Sequence, residues 1–297
     1  MSKISSPLPM RDGVSPSFVW VPEGKWTTVL NFLCQHFPDI SEETWRARFT
    51  KQEVCDQTGQ RLTAESSIER GMCLFYYREV AHETPIPFEE VILHQDEHLL
   101  VVDKPHFLPV TPGGQYLQET LLVRLKNRTG IEELTPLHRL DRETAGVILF
   151  SVNRTSRGAY QSLFQQQQIR KIYQAIAPKI ENLSFPYLKR SRLVESSRFF
   201  VMEEVPGEAN AETLIEVLED RGEYALYRLS PKSGKKHQLR VHMANLGAPL
   251  VNDLFYPEIK PSGSDDYTKP LKLLAHSIAF RDPITEQERR FQSNLSL

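Results

Sequence analysis

The amino-acid sequence predicts an α+β protein: a mixed, largely antiparallel sheet domain preceded by a small helix-helix-hairpin domain. Three observations carry this expectation. Strand-like runs rich in β-branched and aromatic residues outnumber amphipathic helical stretches, and several of those runs are joined by short polar turns. A proline-bearing stretch over residues 81–88 separates a short leading segment from a long one. With 297 residues, 40% of them hydrophobic and 25% charged, the chain has the composition of a folded globular protein and the length of one large domain or two.

The elements follow in order. Residues 1–16 show no periodicity and are expected to be flexible. Within residues 17–80, Val29, Leu30, Phe32 and Leu33 form the apolar stripe of a first helix, which Pro38 stops. Ser41 is placed to cap a second helix, although Thr44 cannot complete the usual capping box. Val54, the turn Gln57-Thr58-Gly59 and the run Met72 to Tyr77 then read as a hairpin. Residues 81–88, with Pro85 and Pro87, read as a linker, and residues 89–297 as the larger domain.

In that domain Val91 to His94 and Leu99 to Lys104 flank a polar turn and form a hairpin ending at Pro105. Pro112-Gly113-Gly114 is a turn, and a helix runs from about Gln118 to Asn127. Leu137 to Asp141 looks extended and Gly146 to Val152 is an apolar strand. Thr155 to Gln168 is helical, with Tyr160, Leu163 and Phe164 on one face. Ile169 to Ala177, Thr213 to Leu218 and Tyr224 to Leu229 are strands; His237 to Leu246 is a helix closed by Gly247; Leu271 to Phe280 is a further strand.

Composition narrows the function. Thirty-six basic against 38 acidic residues give a net charge of -2, so positive charge for a nucleic-acid partner must be local. No apolar run approaches the ~18 residues of a membrane span, and the start is too polar and proline-interrupted for a signal peptide. A cytoplasmic protein with no membrane partner is expected. Cys34, Cys55 and Cys73 are an odd, scattered set read as reduced thiols, without the spacing of a metal site. His94 and His98 lack a third ligand nearby, so no metal is expected. Phosphate-binding glycine loops and the G-x-S-x-G elbow are absent.

Two stretches carry chemistry. In Pro136-Leu137-His138-Arg139-Leu140-Asp141-Arg142-Glu143-Thr144-Ala145-Gly146, strand alternation puts His138 and Leu140 on one face and Arg139 and Asp141 on the other. Positive neighbours favour the ionised carboxylate, a nucleophile or base rather than a proton donor. The second stretch, Lys232 to His242, holds four lysines and arginines and no acid. On a helix beginning near His237, Leu239, Met243 and Leu246 face the core while Arg240 projects about 100° from Leu239, placed to meet Asp141. Taken alone, these features describe a charged turn, an ordinary strand tyrosine at Tyr173 and a local basic patch.

Taken together they resemble the RluA-type pseudouridine synthases, which isomerise uridine in structured RNA. The resemblance spans residues 88–297. It rests on Val102-Asp103-Lys104-Pro105, on H-R-L-D-R-x-T-x-G from His138 to Gly146, on K-x-Y with Tyr173, and on G-x-x-H-Q-[IL]-R-x-H from Gly234 to His242. Residues 17–78 are more weakly similar to a small ribosomal-protein-type RNA-binding domain. The resemblance implies a pseudouridine synthase fold with Asp141 as the catalytic aspartate, Arg240 paired with it, and Tyr173 packing on the uracil near the C5 proton. It puts Arg139 at the RNA face, with His138, Arg142, Lys232, Lys235, Lys236 and His237 as further RNA contacts. Arg190 and Arg192 are candidates for phosphates. The expected partner is a ribosomal or transfer RNA stem-loop; no cofactor and a monomer are expected.

The chain departs from the family at Ala145, where Ser or Thr is common, at Asn252, where Gly is common, and at Leu274-Ala275, where many members have His-Ala. Isomerisation needs the N1 to C1′ bond broken and a C5 to C1′ bond made, with nothing oxidised. One carboxylate suffices, attacking C1′ or removing the C2′ proton. Two other readings stay open: an idle RNA-binding or ribosome-assembly module, and a nucleoside or glycoside hydrolase using Asp141 with Glu143, which would release free base.

Overall fold

The computed structural model describes residues 6–297 except 81, 199 and 261–264. Its contacts divide the chain into Met1–Thr84 with Pro112–Gln118, and Pro85–Thr111 with Glu119–Leu297.

The smaller unit holds β1 (Ser17–Trp20), α1 (Val29–His36), α2 (Glu42–Thr50), β2 (Val54–Cys55) and β3 (Cys73–Tyr76). Thr28 and Ser41 cap the two helices, their side chains accepting from the Asn31 and Thr44 amides. Val29, Phe32, Leu33, Trp45, Val54 and Leu74 are fully buried where helices meet sheet. The expected hairpin is a three-stranded sheet in the order β1-β3-β2, because β1 pairs along the whole of β3 and β2 only at two positions. The described part of the leading segment is not loose. Leu8 is buried with Cys55, Cys73, Phe75 and Tyr77, and the Tyr77 hydroxyl donates to Pro9 O (2.8 Å). Residues 1–5 of the segment expected to be flexible lie outside the described residues. The three cysteines are free.

The larger unit contains β4 (Val91–Gln95), β5 (Leu99–Lys104), α3 (Leu121–Thr129), β6 (Thr135–Pro136), β7 (Ala145–Ser151), α4 (Arg157–Gln165) and β8 (Arg170–Pro178). It continues with β9 (Tyr187–Glu195), β10 (Met202–Val205), β11 (Ala211–Arg221), β12 (Tyr224–Pro231), α5 (Gln238–Asn245), β13 (Leu273–Arg281) and β14 (Glu288–Gln292). The sheet runs β10-β9-β11-β12-β8-β13-β7-β5-β4, with β14 on β13 and β6 on β7. Only β7 and β13 are parallel among the described pairs, which makes this the mixed, largely antiparallel α+β fold expected. Strands β9, β10 and β14 were not legible as strands. Tyr187–Glu195 and Glu288–Gln292 alternate partly buried with exposed charged residues, which masks a period-2 signal.

Residues 85–88 are anchored rather than loose. Arg124 donates to Ile86 O (2.8 Å) and Phe88 O (2.7 Å), and the Ile86 amide donates to Glu119 (2.7 Å). Ala81 of the same stretch lies outside the described residues. Among the described residues no helix is long and apolar enough to cross a membrane.

The core lies on two parts of the sheet, on either side of β13. Ala175, Ile215, Tyr227, Leu229 and Met243 pack α5 against β8, β11 and β12, while Leu99, Val101, Val147, Leu149 and Tyr160 pack α4 against β5 and β7. Gly146 joins β7 to β13 at φ +112°, where an added Cβ would lie 2.2 Å from Ala275 O. Only glycine allows that approach, which gives the last residue of the H-R-L-D-R-x-T-x-G run a steric reason.

Candidate active site

Asp141 lies in the loop between β6 and β7, and Leu137 to Asp141 is irregular rather than extended. Pairing ends one hydrogen bond beyond Pro136, with the Leu137 amide on Leu149 O (2.9 Å), because the His138 ring accepts the Leu149 amide hydrogen (3.1 Å) that a longer strand would have used. Leu137 and Leu140 anchor the loop in the core, at 8% and 7% exposure. Its return is a turn closed by the Thr144 amide on Asp141 O (3.1 Å). Beneath it, the wholly buried Lys104 donates to Pro105 O (3.0 Å), Leu108 O (2.8 Å) and Arg142 O (3.1 Å). His106 Nδ1 donates to Glu143 O (2.6 Å). Burial pushes the Lys104 ammonium down to about 7 against the pull of Glu143 and Asp141. The Val102-Asp103-Lys104-Pro105 run is thus the brace of the aspartate loop.

Arg240, 1% exposed, enters from α5. The helix is buried nearly all round from Gln238 to Met243, not on one face as the spacing suggested. Its guanidinium does reach Asp141, but loosely: Nη1 is 3.5 Å from Asp141 Oδ2 and 3.5 Å from Glu143 Oε2. The tight partner is Asp253, with Nε to Oδ2 at 2.8 Å and Nη2 to Oδ1 at 2.6 Å. Burial opposes the charge of Arg240, yet the hydrogen bonds and charge of Asp253, followed by Asp141 and Glu143, hold it above the ordinary arginine value. Asp253 was missed because it stands in the irregular turn Leu250 to Tyr256, whose only flag was Asn252 in place of the family's glycine. Asn252 takes φ +63°, a conformation asparagine shares with glycine, so this departure is conservative.

Tyr173 is carried by β8. Burial and the Asp141 carboxylate raise its phenol above the ordinary value, so it remains protonated at neutral pH. Asp141, Tyr173 and Arg240 line one cleft of about 540 Å³ together with Arg139 and Lys171. Lys232, Lys235 and Lys236 line the same cleft. Gln238 holds that basic loop: its carbonyl accepts from the Ser233 hydroxyl (2.7 Å) and the Lys235 amide (3.2 Å), and its amide donates to Glu212 O (2.9 Å) and Thr213 Oγ1 (2.9 Å). Lys171, the lysine of the K-x-Y run, to which sequence reading gave no role of its own, donates to Ser233 O (3.2 Å).

Four of the expected RNA contacts fare differently. Arg142 is committed to a bidentate pair with Asp265 (2.7 and 2.7 Å) and to Glu143 (3.2 Å). His138 is stacked on Phe164, centroids 4.8 Å apart, and bound to the Leu149 amide, so its ring serves the fold. The His237 side chain is fully buried. Arg190 donates to Glu212 (2.7 Å) and does not line the cleft. Arg139, by contrast, is exposed at the cleft and in no ion pair among the described residues.

Burial holds four histidines neutral: His106 and His242 are lowered to about 4, and His138 and His237 to about 3. Between those values and the ordinary 6.5, the unfolded chain binds protons that the folded chain refuses. Stability is therefore full above that ordinary value and falls as pH drops through the window, by about 1.4 kcal/mol per pH unit for each histidine. Urea unfolding at pH 7 and pH 5 is expected to show this loss; equal unfolding free energies would contradict it.

A carboxylate in a basic cleft, with a buried guanidinium and an aromatic ring beside it, suits a negatively charged substrate better than a neutral one. Comparison with known proteins agrees. The RNA pseudouridylate synthase family model matches residues 98–245. The dual-specificity RNA pseudouridine synthase RluA of Haemophilus influenzae is 32% identical over 226 residues, covering 68% of this chain and 91% of that protein. The tRNA pseudouridine synthase C of Vibrio vulnificus is 31% identical over 215 residues, covering 66% and 87%. The structure of human RNA pseudouridylate synthase domain containing 4 superposes with a TM-score of 0.54 at 28% identity, covering 69% of this chain and 88% of that one. The chain belongs to the RluA-type RNA pseudouridine synthases and is an enzyme that makes pseudouridine in RNA.

Proposed function

We propose that the enzyme converts particular uridines of ribosomal or transfer RNA stem-loops, with Asp141 acting at the ribose of a nucleotide turned out of its stack. The observation that carries this is the cleft itself. Asp141 stands within it, half-buried, loosely held by Arg240, below a rim of Arg139, Lys232, Lys235 and Lys236. The target atoms of a stacked uridine are out of reach, so the nucleotide enters the cleft and the lysines meet its flanking phosphates. Tyr173 offers a ring to the uracil face, and Arg139 fills or steadies the place the base has left.

Uracil leaves as an anion spread over two carbonyls, so no second carboxyl group is needed as acid. Glu143 is unsuited to that task, being buried and shared by Arg142 and Arg240. An occupied cleft excludes water, which would otherwise leave an abasic sugar. The test is to incubate the protein with ribosomal and transfer RNA tritiated at uracil C5 and to map the product. Tritium release with pseudouridine at a few positions is expected. Liberation of free uracil would overturn the proposal in favour of a hydrolase.

A further inference from the structure

We propose that His237 is a positioning residue for Asp141: a relay from the Met202 backbone amide through the Tyr256 hydroxyl fixes its imidazole as the Nε2–H tautomer and aims that hydrogen at the Asp141 carboxylate. The relay can be read atom by atom. The Met202 N–H donates to the Tyr256 oxygen (2.8 Å), and His237 Nδ1 lies 2.9 Å from the same oxygen; with one lone pair of that oxygen taken, the proposed relay directs the hydroxyl hydrogen to Nδ1. A neutral imidazole that accepts at Nδ1 carries its proton on Nε2. That atom is buried and has no hydrogen-bond partner among the described residues, and it faces Asp141 Oδ1 at 3.9 Å.

A buried polar nitrogen left unmatched is costly, so this one calls for a reason. Phosphate binding does not supply it, since the side chain has no exposed surface. Acid catalysis does not either: burial, Arg240 and Lys236 hold the ring neutral, and burial keeps the Tyr256 phenol protonated, pushed up to about 12. The ring is also fixed in orientation. Phe255 lies nearly parallel to it (9°, centroids 5.9 Å), Phe200 meets it edge-on at 5.3 Å, and His237 holds φ +54°. Uncommon for a residue with a β-carbon, that conformation turns the ring toward Asp141 at the head of α5.

The two carboxylate oxygens then meet different donors. Oδ2 faces Arg240 and Oδ1 faces the His237 N–H, which sets the rotation of the carboxylate without tying up a lone pair in a short hydrogen bond. Loss of the donor is therefore expected in the chemical step rather than in RNA binding.

This inference rests on Asp141 being the reacting group, which the Asp141→Asn variant establishes separately: turnover by that variant would remove the reading of Asp141, not of His237. Single-turnover rates and RNA affinities are to be measured for His237→Phe, His237→Gln and Tyr256→Phe. His237→Phe keeps the ring and loses both nitrogens; the rate constant is expected to fall about 10- to 100-fold, with RNA affinity changed by less than about 2-fold. In His237→Gln the side-chain amide can place an N–H near the old Nε2, so most of the rate returns. Nitrogen-15 spectra of the wild-type imidazole are expected to show the Nε2–H tautomer, and those of Tyr256→Phe a mixture with a reduced rate. A wild-type Nδ1–H tautomer, or equal loss in the Phe and Gln variants, would overturn the proposal. Should His237→Phe fail to fold, the tautomer spectra and the Gln and Tyr256→Phe rates decide it.

Discussion

Replacing Asp141 by asparagine is expected to lower tritium release from C5-labelled RNA by roughly 10⁴-fold or more, to the assay floor, while the protein stays folded. The two halves of this result have separate causes. An amide is nearly isosteric with the carboxylate but is a poor nucleophile and a poor base, so neither attack at C1′ nor removal of the C2′ proton survives. The fold survives because Asp141 is not what neutralises Arg240. The guanidinium keeps its bidentate pair with Asp253 and its 3.5 Å contact with Glu143. A melting temperature within a few degrees of wild type, with undetectable release, is the expected pair of measurements; appreciable turnover would refute the assignment of Asp141.

Arg240→Met is expected to fail in the opposite way, losing stability as well as rate. The Asp253 side chain is fully buried, and the short hydrogen bonds that it accepts from another side chain both come from Arg240. Removing the guanidinium strands that charge, with Glu143 beside it, and stranding one partner of a buried pair costs about 3–5 kcal/mol. Urea denaturation measures the loss. The double variant Arg240→Met with Asp253→Leu removes the stranded charge too, so it is expected to recover much of the stability and none of the activity. If the single variant is as stable as wild type, Asp253 is not held in the way its distances indicate.

How much was legible in the sequence depended on how local the cause was. Strands β5 and β7 were readable because they are buried at every residue and so read as apolar runs, and β8 and the helix of Tyr160 and Leu163 because apolar residues recur along them. Strand β9 was not, since Lys189, Arg190 and Arg192 lie among its few buried residues. Asp141, Tyr173 and Arg240 were singled out by the motifs around them, and the three line one cleft. What no local pattern could show is the competition among acids for one guanidinium, or that Arg142 and His237 turn inward. Those outcomes are decided by residues 13 to 123 positions distant, such as Asp253 for Arg240 and Asp265 for Arg142.

The division of Arg240 between Asp253 and Asp141 has a bearing on the reaction coordinate. In either route proposed for Asp141 its carboxylate becomes neutral for a time, as an ester to the sugar or as a carboxylic acid. Were it the sole counter-ion, that moment would leave a bare cation in a low-dielectric interior and add to the barrier. With Asp253 standing permanently opposite the guanidinium at 2.6 and 2.8 Å, the local charge balance survives the intermediate, and the side chain that reacts is free to change its ionic state.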